Sequence, residues 1–162
     1  STRKESSAAS DVYKRQDSHS FNRYSSNYLD MSNEPLYPFG YGLSYTNFSY
    51  GNLQLSSDVL SRNGELTVSV TVTNDGDFDG YEIVQMYLHD IYAEISRPVK
   101  ELKGFERIFL KKGESREVKF VITEDDLRFY NSGLQYVYEP GEFDVMVGSN
   151  SRDVQTKSFQ AK

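Results

Sequence analysis

One stretch of the chain alternates apolar and polar side chains without interruption, and it constrains the fold more than any other. In residues 65–73 the apolar members are Leu66, Val68, Val70 and Val72, and the residues between them are polar or charged. A period of two places the apolar side chains on one face of a β-strand. The pattern therefore predicts a strand with one buried and one solvated face.

Further extended segments follow at short, regular spacing. Strands are predicted at 48–55, 81–89, 99–110, 117–123, 134–138, 141–147 and 154–159. Pro98 places the strand after it at a sheet edge or after a bend, because proline has no amide donor. Thr123, followed by three acidic residues, predicts the N-cap of a short helix. Residues 48–162 thus predict an all-β, antiparallel sandwich of about seven to eight strands, preceded by an extended N-terminal segment.

Residues 35–46, PLYPFGYGLSYT, predict a packed loop, because two prolines and two glycines disfavour regular structure. The loop carries four large rings, Tyr37, Phe39, Tyr41 and Tyr45. Burial of each ring contributes roughly 1.5 to 3 kcal/mol, so we expect something to cover them. The cover is either the same domain, with the loop as an internal plug, or a neighbouring domain, with the loop at an interdomain seam.

The first residues of the chain are polar and lack periodicity. Residues 1–16 are serine-rich and are predicted to be disordered. Because residues 7–16 resemble translated sequencing-adapter read-through, we interpret this segment as an artefact. Residues 17–47 are predicted to form an extended linker that ends in the aromatic docking loop. Because these residues contain no basic stretch followed by an apolar one, we expect no signal peptide within this fragment.

Several stretches of the chain resemble one family, in the family's order. They are the loop at 35–46, then SRPVKELKGF at 96–105, LKKGES at 110–115, DLRFY at 126–130 and EPGEFDVMVG at 139–148. Together they resemble the C-terminal fibronectin type III-like domain of glycoside hydrolase family 3, the β-glucosidases and β-xylosidases, and are most like the bacterial β-glucosidases.

This resemblance implies a non-catalytic accessory domain, present here as a fragment. In that family the nucleophilic Asp and the general acid lie on upstream domains, so neither role maps onto a residue of this chain. The expected partners are those upstream catalytic domains, docked through Tyr37, Phe39, Tyr41 and Tyr45. By analogy the expected location is periplasmic or secreted. The alternative is a free-standing carbohydrate-binding or adhesion module.

Asp75, Asp77 and Asp79, followed by Gly80, form the strongest metal-like motif. Alternating carboxylates begin a calcium loop, but Met86 stands where the loop needs a bidentate Glu. The other interpretation is a turn between two strands, which Asn, Asp and Gly favour.

Other classes of site are weakly supported. The net charge of −6 argues against nucleic acid, no apolar run reaches membrane-spanning length, and no cysteine is present for a thiolate metal site. Glu124, Asp125 and Asp126 are adjacent, which is the wrong geometry for a glycosidase acid pair. No cofactor is expected. The 13 tyrosines allow an oligosaccharide-stacking surface, but packing across strands explains Tyr136 and Tyr138 equally well.

Overall fold

The computed structural model describes residues 35–95 and 97–162. The predicted artefact at 1–16 and the predicted linker as far as residue 34 lie outside the described residues. The chain divides into two compact units, residues 1–38 and residues 39–162. In the first unit, Leu36 and Tyr37 are exposed. The second unit contains the described strands and begins within the loop, nine residues before the first of them.

The described part of the second unit contains eleven strands and one short helix. They are β1 (Phe48–Tyr50), β2 (Gln54–Leu55), β3 (Val59–Leu60), β4 (Glu65–Asn74), β5 (Gly80–Asp90), β6 (Glu101–Leu110), β7 (Ser115–Thr123), α1 (Glu124–Leu127), β8 (Phe129–Tyr130), β9 (Tyr136–Val137), β10 (Gly141–Gly148) and β11 (Val154–Ala161). Six strands have eight or more residues, and the other five have two or three.

Two sheets form a sandwich around one core. In the first sheet β4 pairs with β1, β2 and β7, and the second sheet has the order β3-β11-β10-β5-β6. The buried cluster draws Val68 and Val70 from β4, Val84 from β5, and Val145 and Val147 from β10. All pairings are antiparallel except that of β3 with β11. The predicted all-β antiparallel sandwich is confirmed.

The predicted strand at 48–55 is interrupted by a bulge. Tyr50 lies opposite Val72 and Gln54 lies opposite Ser69, so four steps along this strand match three steps along β4. The extra residue falls beside Gly51, whose amide still donates to the carbonyl oxygen of Thr71 at 2.7 Å. A bulge bends a strand where one residue has no partner. The segment therefore divides into β1 and β2.

The structure also contains short strands that the sequence pattern does not reveal. β3 lies between the predicted strands at 48–55 and 65–73, where no strand is predicted, and β8 pairs with β9 in a separate two-stranded hairpin. Two residues are too few to show any periodicity. The predicted count of seven to eight strands is therefore too low. By contrast, among the described strands β6 pairs only with β5 and is the sheet edge that Pro98 predicts.

Candidate docking surface

The start of the aromatic loop is fixed by one buried side chain, Gln85, on β5. Its Nε2 donates to the carbonyl oxygens of Gly40 at 3.0 Å and Ser149 at 2.6 Å. Its Oε1 accepts a hydrogen bond from the Tyr87 hydroxyl at 2.5 Å. Next to these contacts, the amide of Ser151 donates to the carbonyl oxygen of Phe39 at 2.9 Å. Because the Gln85 amide group is engaged at both atoms, the loop has one defined position here.

The end of the loop is fixed by Asn74, which is fully buried at the end of β4. Its Oδ1 accepts from the Thr46 hydroxyl at 2.5 Å, and its Nδ2 donates to the carbonyl oxygens of Phe78 and Leu110. Gly76 passes so close to Thr46 that a Cβ on it would overlap with the Thr46 hydroxyl. Both ends of residues 40–46 are thus tied to the sandwich.

The rings of the loop remain exposed despite these two attachments. The exposed fraction is 65% for Phe39, 44% for Tyr41 and 95% for Tyr45, and the ring of Tyr37, in the first unit, is 67% exposed. Phe39 makes an edge contact with Tyr87, at 6.5 Å between ring centroids. The described residues of the second unit therefore leave much of the Phe39, Tyr41 and Tyr45 rings exposed, which favours the seam over the internal plug.

The outer face of β5 and β6 continues this exposed surface. Strand pairing sets Tyr81 opposite Phe109, Ile83 opposite Arg107 and Gln85 opposite Phe105. The Tyr81 and Phe109 ring centroids are 4.9 Å apart, and the Arg107 guanidinium lies 3.9 Å from the centroid of the Tyr81 ring. Four of these side chains are exposed large hydrophobics: Tyr81, Ile83, Phe105 and Phe109. We call these four residues the outer apolar face.

Two clefts border the loop. A smaller one, of about 150 Å³, lies between Leu43 of the loop and Tyr81 and Ile83 of the outer apolar face. A larger and more open one, of about 480 Å³, is lined by Phe39, Tyr87, Pro98, Val99, Lys100 and Leu102, among others. We call the larger one the Phe39 cleft. The loop and the outer apolar face thus form adjoining parts of one surface.

A partly buried ion-pair network holds the segment that carries Pro98 and Val99. Arg97 pairs with Asp90 at 2.9 Å and with Glu101 at 3.0 Å. Its guanidinium also lies 5.0 Å from the centroid of the Phe129 ring. Burial opposes ionisation of Glu101, but hydrogen bonds and charges from Lys103 and Arg97 outweigh it and lower the pKa of that carboxyl. These contacts tie both ends of residues 97–101 to the second sheet.

The calcium candidates do not converge on one point. Asp77 pairs with the Lys112 ammonium group at 2.7 Å, and Asp79 accepts a hydrogen bond from the Lys112 amide at 2.9 Å. The amide of Asp75 donates to the carbonyl oxygen of Asn47. In residues 35–95 and 97–162, no group of three or more His, Cys, Asp or Glu side chains is arranged to hold a metal ion. The contacts of Asp77 and Asp79 therefore bind the turn between β4 and β5 to the connection between β6 and β7.

The three adjacent acids of α1 serve the helix and its surroundings. The Asp126 carboxylate accepts hydrogen bonds from the Thr123 amide and hydroxyl, at 2.8 and 2.9 Å. Glu124 is buried and pairs with Arg128 at 2.8 Å, while exposed Asp125 pairs with the same Arg128 at 3.2 Å. Thr123 is therefore the N-cap of α1, as predicted, and the Asp126 carboxylate accepts the hydrogen bonds of its amide and hydroxyl.

The tyrosines considered for sugar stacking lie in different surroundings. Tyr136 faces Tyr130 across the small hairpin, with 5.0 Å between ring centroids, and both rings are at least half exposed. Tyr138 instead packs against the core, and its buried hydroxyl has no hydrogen-bond partner among the described residues. Tyr136 and Tyr138 thus do not share one exposed platform.

A half-buried tyrosine and a half-buried carboxylate link the two sheets. The Tyr50 hydroxyl, on β1, donates to Oε1 of Glu82, on β5, at 2.7 Å. Burial raises the pKa of Glu82 above its ordinary value of 4.5, and the hydrogen bonds from Tyr50 and the Ile83 amide offset part of this rise. Burial, with the charge of Glu82, also raises the pKa of Tyr50. The tyrosine therefore remains a donor.

Sequence reasoning identified the rings of the loop but missed the residues that hold them. Gln85 and Asn74 form hydrogen bonds with residues that are 28 to 64 positions away in the sequence. The local periodicity of a sequence does not reveal such distant partners. One signal was present for Gln85, because it is a polar residue between Ile83 and Tyr87 on an otherwise apolar strand face.

The only helix in the described ranges, α1, has four residues, so none there is long and apolar enough to cross a membrane.

Residues 82–151 match the family model of the fibronectin type III-like domain. A periplasmic beta-glucosidase of Salmonella typhimurium is 50% identical over 139 residues, which are 86% of this chain and 18% of that protein. A putative beta-xylosidase of Formosa agariphila is 47% identical with the same coverage.

Among solved structures, a beta-glucosidase from Listeria innocua in complex with isofagomine is similar, with a TM-score of 0.79 and 45% identity. The match covers 87% of this chain and 20% of that one. The chain thus spans about a fifth of the length of these relatives. The sandwich and these matches show that the chain belongs to the fibronectin type III-like domain family, in the form that glycoside hydrolase family 3 β-glucosidases and β-xylosidases carry as a C-terminal accessory domain.

Proposed function

We propose that this chain is the accessory domain of a larger enzyme that hydrolyses terminal β-D-glucosidic or β-xylosidic bonds, and that it stabilises the catalytic domains by docking on them. The names of the similar proteins support the reaction. The matched share of each relative supports the accessory role, since about four fifths of each relative lies outside the part that matches this chain.

The exposed but fixed loop is the observation that carries this proposal. Tyr41 and Tyr45 expose large rings on a segment that Gln85 and Asn74 hold in one conformation. Exposed apolar patches on a fixed backbone mark interaction sites. Docking such a loop costs little conformational entropy, because its backbone is ordered before it binds. We assign Tyr37, Phe39, Tyr41 and Tyr45 to this docking contact.

The proposed location of the parent enzyme is the periplasm or the cell exterior. The support is the Salmonella typhimurium relative, which is named as periplasmic. Fusion of the parent gene to a reporter that is active only outside the cytoplasm would test this assignment.

A chimera tests the stabilising role. The Salmonella typhimurium β-glucosidase is prepared in three forms: intact, without the matched 139-residue part, and with that part replaced by the matching residues of this chain. We expect the chimera to unfold at a higher temperature than the truncated form and to retain hydrolysis of an aryl β-glucoside. A truncated form as stable and as active as the chimera would overturn the proposal.

The second candidate, a carbohydrate-binding module, is favoured by one observation. Tyr130 and Tyr136 present adjacent, exposed rings on the hairpin, and aromatic rings can stack on the apolar faces of sugars. Retention of the 162-residue chain on insoluble β-glucan, and its loss in Tyr130→Ala, would support this role. The accessory-domain proposal predicts no retention.

A further inference from the structure

The Phe39 cleft has the features of a site that receives a protein side chain. Its lining is mainly apolar and includes Phe39, Tyr87, Pro98, Val99 and Leu102. Val99 is 68% exposed and Leu102 is 37% exposed, so the apolar surface is open to solvent. Interface residues that dominate binding are typically anchors that fill such pockets and are cut off from water there.

The walls of the cleft are held in place independently of any partner. Arg97 fixes the segment that carries Val99, through its ion pairs with Asp90 and Glu101. Tyr87, another lining residue, is held by the hydrogen bond that its hydroxyl donates to Gln85. The Lys100 ammonium group, also in the lining, donates to the carbonyl oxygen of Ser151 at 2.5 Å, which turns this cation toward the β10–β11 connection. The cleft is therefore preformed.

The position of Phe39 indicates what occupies the cleft. Phe39 is both a wall of the cleft and the first residue of the sandwich unit, so the polypeptide N-terminal to it leaves from the cleft rim. The similar proteins have about four fifths of their length outside the matched part. A domain tethered at this point is present at high effective concentration, which favours contact with the nearest apolar surface.

We propose that the Phe39 cleft is a socket for an apolar side chain of the catalytic part of the same polypeptide. This inference rests on the proposed function and gives it a specific anchor: the loop rings lie against the surface of the partner, and one partner side chain inserts between Phe39 and Val99. Of the exposed valines, Val99 is covered in the docked enzyme, whereas Val121, on the outer face of β7 in the other sheet, stays exposed.

Cysteine labelling tests whether Val99 is covered in the docked enzyme, because the natural chain contains no cysteine that would react as well. Val99→Cys and, as the matched control, Val121→Cys are each introduced into the 162-residue chain and into the chimera with the Salmonella typhimurium enzyme. Labelling at each position is followed by mass spectrometry of the modified peptide. We expect the Val99→Cys rate to fall by about tenfold or more in the chimera, as when the cleft is closed at least nine tenths of the time. We expect no change for Val121→Cys.

The outcomes separate this inference from the proposed function. If the chimera is more stable than the truncated enzyme but Val99→Cys labels equally fast in both settings, the socket is wrong and the stabilising role stands. Equal slowing at both positions also overturns the socket. If the chimera gains no stability, the proposed function fails as well. Should the chimera not fold, labelling a cysteine at the Salmonella typhimurium position aligned with Val99 gives the same readout.

Discussion

Gln85 holds Gly40 in two ways: its Nε2 donates to the Gly40 carbonyl oxygen at 3.0 Å, and its Oε1 occupies the place that a Cβ on Gly40 would take. Gly40 has a φ of 77°, in the left-handed region that residues with a Cβ rarely adopt. The conformation of the loop at Gly40 is therefore set by this glycine and one buried amide.

The first prediction concerns that glycine. Gly40→Ala should lower the free energy of unfolding by about 1 to 3 kcal/mol, because the new methyl group overlaps with Gln85 and φ is positive. The control is Gly42→Ala in the same loop, where nothing lies within 4 Å of the added Cβ. Urea unfolding of both variants measures the difference. Equal effects would mean that Gln85 does not fix the loop.

The second prediction concerns Gln85 itself. Gln85→Leu removes both donations from Nε2, and it also deprives the Tyr87 hydroxyl of its acceptor. Leaving buried polar groups without partners should cost about 2 to 3 kcal/mol. Gln160→Leu, on the exposed side of β11, is the matched change and should have little effect. Hydrogen exchange should show faster exchange at the Ser151 amide in Gln85→Leu only, and protection unchanged there would contradict the role of Gln85.

The third prediction is a pH dependence that originates at Glu82. Burial raises its pKa in the folded chain, so folding favours the protonated carboxyl. Its contribution to stability is fully present below pH 4.5 and is lost as the pH rises through the raised pKa. The difference in unfolding free energy between the natural chain and Glu82→Gln should therefore change across this window. A constant difference from below pH 4.5 to neutral pH would show that Glu82 does not titrate abnormally.

The fourth prediction compares two half-buried tyrosines. Tyr50→Phe removes the donor to half-buried Glu82 and should cost about 1 to 2 kcal/mol. Tyr138→Phe removes a buried hydroxyl that has no partner among the described residues, so stability should change by less than about 0.5 kcal/mol or increase. Thermal unfolding of the two variants gives the comparison. A larger loss for Tyr138→Phe would indicate that its hydroxyl has a partner.

The sequence predicts the fold well where one strand face is buried and the other is wet. The alternation in residues 65–73 predicts β4, and its apolar members are each 2% exposed or less: Leu66, Val68, Val70 and Val72. The strand at 48–55 was predicted as one element because a single extra residue beside Gly51 does not disturb local composition. β8 could not be predicted, since its two residues take their conformation from pairing with β9.

The candidate surface was only partly predictable for a related reason. Aromatic residues between prolines and glycines show that the loop is unusual, whatever the rest of the chain does. Whether the rings point inward or outward depends on Gln85 and Asn74, which reach the loop from strands distant in sequence. The outer apolar face likewise arises only when Tyr81 comes to lie opposite Phe109 across β5 and β6.

The most direct test of docking is a comparison of Tyr45→Ser in two settings, the 162-residue chain and the chimeric β-glucosidase. Tyr45 is 95% exposed, so the melting temperature of the 162-residue chain should not change. In the chimera it should fall, because the ring loses its contact with the catalytic domains, while Tyr92→Ser, also at an exposed ring, should leave both proteins unchanged. An unchanged melting temperature for Tyr45→Ser in the chimera would contradict the account.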